Sequence, residues 1–521
     1  MMRLDGLKLP PSHGLADITR AAAKKLGVRP ATLEGRIEIL RKSLDARRKP
    51  DVHWVVSVEV HDSAAWQRRA PEAAVPRMEN APRVIVVGAG PAGLMAALTL
   101  ARGGIPPVVV ERGRRVDERV RDVERFWAGG ELDVSSNVQF GEGGAGAFSD
   151  GKLTTGIRDP RIRGVLRDFV DAGAPEEILW LAKPHVGTDR LRGMVKNLRE
   201  KIISLGGRFM FETALCGLGA ADGALRSVEL RTVDGGTVEL ACDRLILAIG
   251  HSARDTFEML RGAGVAMQPK PFSAGVRVEH RQEAIDFAQY ARGRGDLPPA
   301  DYKLAEHLPD GRGVYTFCMC PGGFVVAAAS EQGGVVTNGM SYYDRSAENA
   351  NSALLVSVTP EDSARFARFD GDPLAGVELQ RSMERAAFAA GGRNWRAPAQ
   401  RVEDFLAGRA SAAFGEVVPS YQPGVTPAAL DDVLPGFVAG ALRDALPVFG
   451  RRVRGFDAPD AVLTGVETRS SSPVRIMRNE RFEANISGLM PCGEGCGYAG
   501  GITSAAVDGV RCAEAILEAC I

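Results

Sequence analysis

Residues 83–113, RVIVVGAGPAGLMAALTLARGGIPPVVVERG, constrain the fold of this chain more than any other stretch. Residues 84–87 are an apolar, β-branched run with the length of a strand buried on both faces. Gly88, Gly90 and Gly93 follow at GxGxxG spacing, with Pro91 and Ala92 between them. The first glycine permits a tight turn, the second lets backbone approach a pyrophosphate, and the third lets a helix pack close to the strand. Residues 94–102 supply that helix, its N-terminal N–H groups and dipole facing the phosphates. A second β-branched run, 108–110, ends in Glu111, placed to accept hydrogen bonds from ribose hydroxyls. GxGxxG alone is weak evidence. Strand, glycines, helix, strand and terminal acid in this order predict a dinucleotide-binding unit.

The remaining chain sets bounds around that unit. At 521 residues it is too long for one small core, and about two to four domains are expected. Acidic and basic residues balance at 65 each, which argues against binding nucleic acid through bulk charge. Eight cysteines over this length make no disulfide framework and fit a reducing cytosol. No apolar run reaches membrane-spanning length, and the first residues lack the apolar core of a secretory signal. A cytoplasmic protein is expected.

Residues 1–63 read as a small α+β module, with strands at 2–9, 36–40 and 53–60 and a helix at 16–26. The basic run at 41–49, RKSLDARRK, is either a solvated strand end or a docking surface for an acidic partner or RNA. Residues 64–82, rich in proline and without periodicity, are expected to be a linker. Residues 83–270 form the first part of the nucleotide-binding domain, which includes a small antiparallel sheet and a buried strand at 245–249 ending at Gly250. Strand-like segments at 273–279, 313–318 and 324–329 place an inserted substrate domain at 271–456. Residues 457–521 return to strand, loop and helix and complete the first domain.

Three further segments hold the residue types that a flavin needs. Residues 140–156, FGEGGAGAFSDGKLTTG, cluster too many glycines for a helix or strand interior. Such a loop lets backbone N–H groups and Ser149 or Lys152 crowd against phosphate or a ring. Residues 244–256, RLILAIGHSARDT, stop a buried strand at Gly250. In residues 488–509, GLMPCGEGCGYAGGITSAAVDG, Glu494 sits between glycines where a carboxylate can bond ribityl hydroxyls. Gly500 and Gly501 then open a helix at 502–517, whose dipole suits the pyrimidine edge of a reduced flavin.

With these motifs the chain resembles flavoproteins with a glutathione-reductase-type FAD fold. More narrowly, SLDARRKPDV, FGEGGAGAFSDGKL, AIGHSARDT, YTFCMCPGG, NGMSYYDR, GVETRSSSPVRI and GEGCGYAGGITSAAVDG are similar to the bacterial family of uncharacterised FAD-dependent dehydrogenases. The resemblance covers nearly the whole chain. It implies FAD as cofactor, an N-terminal ferredoxin-like module and a C-terminal FAD-dependent-protein domain. Carried over residue by residue, it puts adenosine-side contacts on Gly88, Gly90, Gly93, Glu111 and Arg112, and the ribityl contact on Glu494. Flavin-ring contacts fall on Gly500, Gly501 and Ile502, with Gly143, Gly144 and Lys152 from the glycine loop. Cys492 and Cys496 depart from the small residues expected at their positions. The expected fold class is α/β: a Rossmann-like FAD/NAD(P)-binding domain with an inserted α+β substrate domain and the small N-terminal α+β module.

Candidates for catalysis come from two segments. In SAGVRVEH, Arg277 and Glu279 share one strand face, where they suit either an internal ion pair or a flavin-facing site. His280, next in the chain, is a proton donor or base, or a surface histidine. In ETRSSSPVR, Arg469 and Arg475 have the chemistry to clamp a substrate carboxylate. Cys318 and Cys320 share one strand face and suit a redox pair or a metal site, although thiols two apart in a strand lie too far from each other to bridge without a bend. A four-thiolate site with Cys492 and Cys496 is a chance pattern, so no metal is expected.

The function expected is an FAD-dependent oxidoreductase, a dehydrogenase or reductase, that moves a hydride between a small organic substrate and flavin N5. No second glycine-motif unit follows, so NAD(P)H is an electron donor only if it binds without its own domain. The alternatives are an RNA-modifying flavoprotein, with the basic module docking RNA, and a non-catalytic flavin-dependent sensor whose module binds a protein partner.

Overall fold

The computed structural model describes residues 1–64 and 77–520; residues 65–76 of the expected linker lie outside them. Strand Val84–Val87 shows how the first domain forms. Its side chains alternate between two cores. Val84 and Val86 pack with helices Pro91–Arg102 and Ile502–Glu518, while Ile85 and Val87 pack with the antiparallel sheet of Thr213–Ala221, Ala224–Thr232 and Thr237–Ala241. An apolar residue at every position is what a strand covered on both faces requires. Its sheet is parallel, in the order Leu489–Pro491, Arg244–Leu247, Val84–Val87, Val108–Val110, Arg208–Met210. The first of these strands in sequence lies in the middle, so the chain winds away to both sides. Such sheets take ligands in the crevice beyond the carboxyl ends of their strands.

The second domain is built on a seven-stranded sheet with Phe272–Arg281 at its centre, flanked by Asn349–Val358 and Val462–Glu467. Helix Gly436–Arg452 packs on this sheet, as does the hairpin of Phe324–Ala327 and Thr337–Met340. Val462–Glu467, expected in the terminal unit that begins at 457, pairs instead with Phe272–Arg281 and Ala397–Arg401. Its six buried residues suit a central strand, and pairing partners nearly 200 positions away are invisible to local pattern. The chain re-enters the first domain through Val474–Ile476, which pairs with Met267–Pro269.

The N-terminal module has its own core, in which Leu4, Leu7, Ile18, Val56 and Val58 join helix Leu15–Leu26 to the sheet of Met2–Leu9, His53–Val60 and Ile37–Asp45. This is β-α-β-β, four of the six elements of the expected ferredoxin-like motif. The second helix and fourth strand of that motif are not supplied by residues 1–64. Part of the basic run is engaged with the rest of the chain. The Lys42 backbone exchanges hydrogen bonds with Trp180 and Ala182, and Lys49 Nζ donates to the Ala288 carbonyl at 2.6 Å.

Candidate functional site

A cavity of about 990 Å³ opens beyond the carboxyl ends of the parallel strands, at the upper end of the range for ligand sites. It brings together four segments remote in sequence. Gly88, Gly90, Pro91 and Ala92 come from the first turn, Gly144 and Lys152 from the glycine loop, Gly250 from the strand end, and Glu494, Gly500, Gly501 and Ile502 from the last segment. Glu111, Arg112 and Ser149 also border it.

The glycines work by close approach. A β-carbon on Gly88, whose φ is +102°, would lie 2.2 Å from the Ala248 carbonyl oxygen. One on Gly144 would lie 3.2 Å from the Cα of Gly90, so the two glycine loops touch backbone to backbone. Gly93 and Gly143 lie behind the cavity wall. Gly93 packs the helix on the turn, with a β-carbon only 1.8 Å from the Gly88 oxygen, and Gly143 donates its N–H to Ala89 O at 2.8 Å.

Two helix N-termini meet at the cavity. Pro91–Arg102 starts from Gly90 and Ile502–Glu518 from Gly501, and neither first turn has a side-chain cap. Their unsatisfied N–H groups and dipoles give the cavity a positive potential suited to an anion. Glu111, expected to hold ribose, also ties the wall together: its carboxylate accepts N–H bonds from Ala89 at 2.8 Å and from Gly113 and Gly141 at 3.0 Å. A carboxylate has about four lone-pair sites, which leaves one for a ribose hydroxyl. Arg112 is held by Asp255 and Thr256, with its guanidinium 4.3 Å from the Phe140 ring centre.

Burial pushes the Glu494 carboxyl up to about 7 despite the charge of Lys270, and no hydrogen bond from the described residues meets it. Asp150 is fully buried; burial would raise its pKa, but Lys152 at 3.2 Å and Arg345 at 2.7 Å hold it well below the carboxylate range. The Lys152 ammonium is itself buried and has no hydrogen-bond partner among the described residues. These features fit FAD: two uncapped helix ends for a pyrophosphate, a bare carboxyl for ribityl hydroxyls, and a buried ammonium with donors to spare.

The catalytic candidates fare differently. His280 does not face the cavity. Strand period 2 turns it away from Arg277, against Tyr302 and Phe456, where its Nε2 donates to the Phe456 carbonyl at 2.7 Å. Burial lowers its pKa to about 4, so the ring is neutral. Arg277 is fully buried and paired with Glu467 at 2.6 Å, behind the wall rather than on it. Glu279, the ion-pair partner considered for it, bonds Ser420 and Asn349 instead. Arg469 reaches the wall, but its guanidinium is committed to Glu384, at 3.0 and 2.8 Å, and to Ser330. Arg475 stays off the wall, bonding Gly497 O at 3.2 Å beside the Tyr498 ring. Arg277 and Arg469 are not free to clamp a carboxylate, because a buried guanidinium requires its own counter-charge, and Arg475 does not border the cavity.

Several wall residues escaped the sequence reading. Glu467 borders the cavity with its carboxyl raised by burial to about 7, against the pull of Arg277. His251 is held down at about 3 by burial and by Arg469 and Arg254. Cys318, singled out in the sequence with Cys320, faces the cavity beside Asp150 and Lys152. Glu467 and His251 lie in motifs already singled out, GVETRSSSPVRI and AIGHSARDT, which was the available signal. Cys492 is gathered with Asp508 and Cys512, and not with Cys318; Arg478 already occupies Asp508 at 2.7 Å.

Comparison with known proteins agrees on the cofactor. Residues 82–122 match an FAD binding domain, residues 271–470 an FAD-dependent protein, C-terminal domain-like, and residues 1–61 a domain of unknown function. An uncharacterised protein of Clostridium beijerinckii is 47% identical over 539 residues, covering 99% of this chain and 98% of its own length. Among solved structures, the flavin-dependent brominase Bmp2 is 13% identical over 85% of this chain and 80% of that one, with a TM-score of 0.38. CtdE in complex with FAD is 13% identical over 84% and 88%, with a TM-score of 0.34. These structural likenesses are too distant to transfer a residue or a reaction. The cavity's donors and the matched domains agree, and the chain belongs, with its Clostridium relative, to a family of FAD-dependent proteins.

Proposed function

We propose that FAD lies along the 990 Å³ cavity and that the protein is an oxidoreductase acting on a small organic substrate. One observation carries this reading: the two uncapped helix N-termini and the bare Glu494 carboxyl border the same cavity. In it, Gly88, Gly90 and the N-terminus of Pro91–Arg102 hold the pyrophosphate, and Glu111 and Arg112 hold the adenosine side. Glu494 accepts from the ribityl hydroxyls, and the N-terminus of Ile502–Glu518 stabilises negative charge on the ring. FAD supplies hydride exchange at N5 when bound. The chain orients it and excludes water. Glu467, poised at about 7, holds or releases a proton at its carboxyl oxygen near neutral pH.

Purified protein should be yellow, with flavin absorbance. Anaerobic screening of metabolites, with and without NADH or NADPH, should find one that bleaches it. A colourless preparation that cannot be reconstituted with FAD would sink the proposal.

A further inference from the structure

Cys318 and Cys320 have no part in holding FAD, yet they stand where the large sheet meets its cavity. Along strand Gly313–Cys320 the register against Asn349–Val358 breaks: Phe317 pairs with Ala353, and Cys320 with Asn351. Cys318 and Met319 on one strand thus oppose the single Ser352 on the other, a bulge. Cys318 sits in it at φ 44°, a left-handed conformation that a side-chain-bearing residue keeps only when its surroundings hold it there. The bulge supplies the bend that a regular strand lacks. It brings the Cys320 thiol round to the Cys318 carbonyl oxygen, to which it donates at 3.2 Å.

Charge around the pair favours a thiolate. Arg277 Nη1 lies 3.2 Å from the Cys318 carbonyl oxygen and 4.0 Å from the Cys320 sulfur, and Lys152 adds a second positive charge. The carboxyls facing the pair are Asp150, tied to Lys152 and Arg345, Glu467, tied to Arg277, and Glu494. The neighbouring Cys320 thiol, against burial and with help from Lys152 and Arg277, lowers the Cys318 thiol, while Cys320 is pushed well above the usual thiol range. One sulfur is a nucleophile and the other holds its proton, the division of labour in dithiols that open and close.

We propose that Cys318 and Cys320 form a redox-active dithiol that exchanges an electron pair with FAD, an inference that rests on FAD occupying the cavity. Starting from the Cys318 thiolate and the Cys320 thiol, the S–S bond forms as the pair of sulfurs releases two electrons and the Cys320 proton. Oxidised FAD takes up the electron pair and that proton, so atoms and charge balance. In reverse, the S–S bond breaks, Cys318 leaves as thiolate and Cys320 regains its proton.

The test is an anaerobic dithionite titration of holoprotein pretreated with diamide, paired with iodoacetamide labelling and mass mapping of the peptide spanning residues 318–320. Wild type should consume two electron pairs per FAD, and its peptide should lack two hydrogens and resist labelling until reduced. Cys318→Ser should consume one pair. Labelling of reduced wild type against pH should show a midpoint below that of an ordinary thiol, which Lys152→Met moves upward. Consumption of a single pair by wild type, with both thiols fully labelled after diamide, would overturn the inference while leaving the FAD placement intact. Absence of flavin would instead remove that placement, and the peptide mapping would still show whether the disulfide closes. Should Cys318→Ser fail to fold, Cys320→Ser replaces it, and the mapping of wild type requires no variant.

Discussion

Glu467 and Glu494 both carry carboxyls raised to about 7, and they differ in what balances them. Glu467 is held by Arg277 at 2.6 Å, whereas Glu494 meets no donor from the chain and suits a hydroxyl-rich ligand. Glu494→Ala should therefore weaken FAD binding about 10- to 100-fold, the equivalent of losing one hydrogen bond to a charged group at about 1.5–3 kcal/mol. Fluorescence of released FAD checks this. In the FAD-free protein the Glu494 carboxyl stays protonated between its ordinary 4.5 and about 7. Folding takes up protons in that window, so stability falls as pH rises through it. Glu494→Gln should flatten the fall in thermal unfolding of apoprotein; an unchanged slope would contradict the raised pKa. GEGCG marked Glu494 as special in the sequence. Its lack of a partner was not legible there, because partners come from other segments.

Among the elements, the opening strand and helix were the most legible, since their periods and glycines are local features. Gly93 is where they meet. Gly93→Val places side-chain atoms against the Gly88 carbonyl, and should cost at least about 1–3 kcal/mol and strip the FAD; thermal unfolding and absorbance read both. Strand Phe272–Arg281 is the counter-example. Its chemistry-bearing residues were visible, but which face looks at the cavity depends on the sheet packed behind it. His280 ended on the apolar face, with its pKa depressed from 6.5 to about 4 by burial. A ring kept neutral in the fold makes stability drop as pH falls from 6.5 toward 4, where the unfolded chain binds the proton. His280→Gln should remove part of that acid sensitivity and leave FAD absorbance in place, as measured by pH-dependent urea unfolding.

At the scale of the whole molecule, one buried network joins the two large domains. Arg254, at the start of helix Arg254–Gly262, pairs with Glu384 of helix Ala375–Ala390 at 2.8 Å, and Arg469 grips the same carboxylate. Burial would raise the Glu384 pKa, but the two arginines hold it below the carboxylate range. Its contribution to stability is complete above its ordinary 4.5 and is lost as pH falls below that value. Glu384→Ala leaves Arg254 and Arg469 with Glu331 as their one remaining carboxylate and should cost about 3–5 kcal/mol in urea unfolding. The N-terminal module keeps its own core, so a chain lacking residues 1–61 should retain flavin absorbance.

The sequence by itself determined the cofactor class, the parallel strand–helix unit and the glycine turns that border the cavity, because glycine spacing and strand period are properties of neighbouring residues. Only the tertiary structure decided which charges are free. Arg277, Arg469 and Arg475 look alike as cations in the sequence, yet Arg277 is neutralised by Glu467, 190 positions away, and Arg469 by Glu384. Burial makes such pairing obligatory, and the partners are set by sheet register and helix docking, which no local pattern encodes.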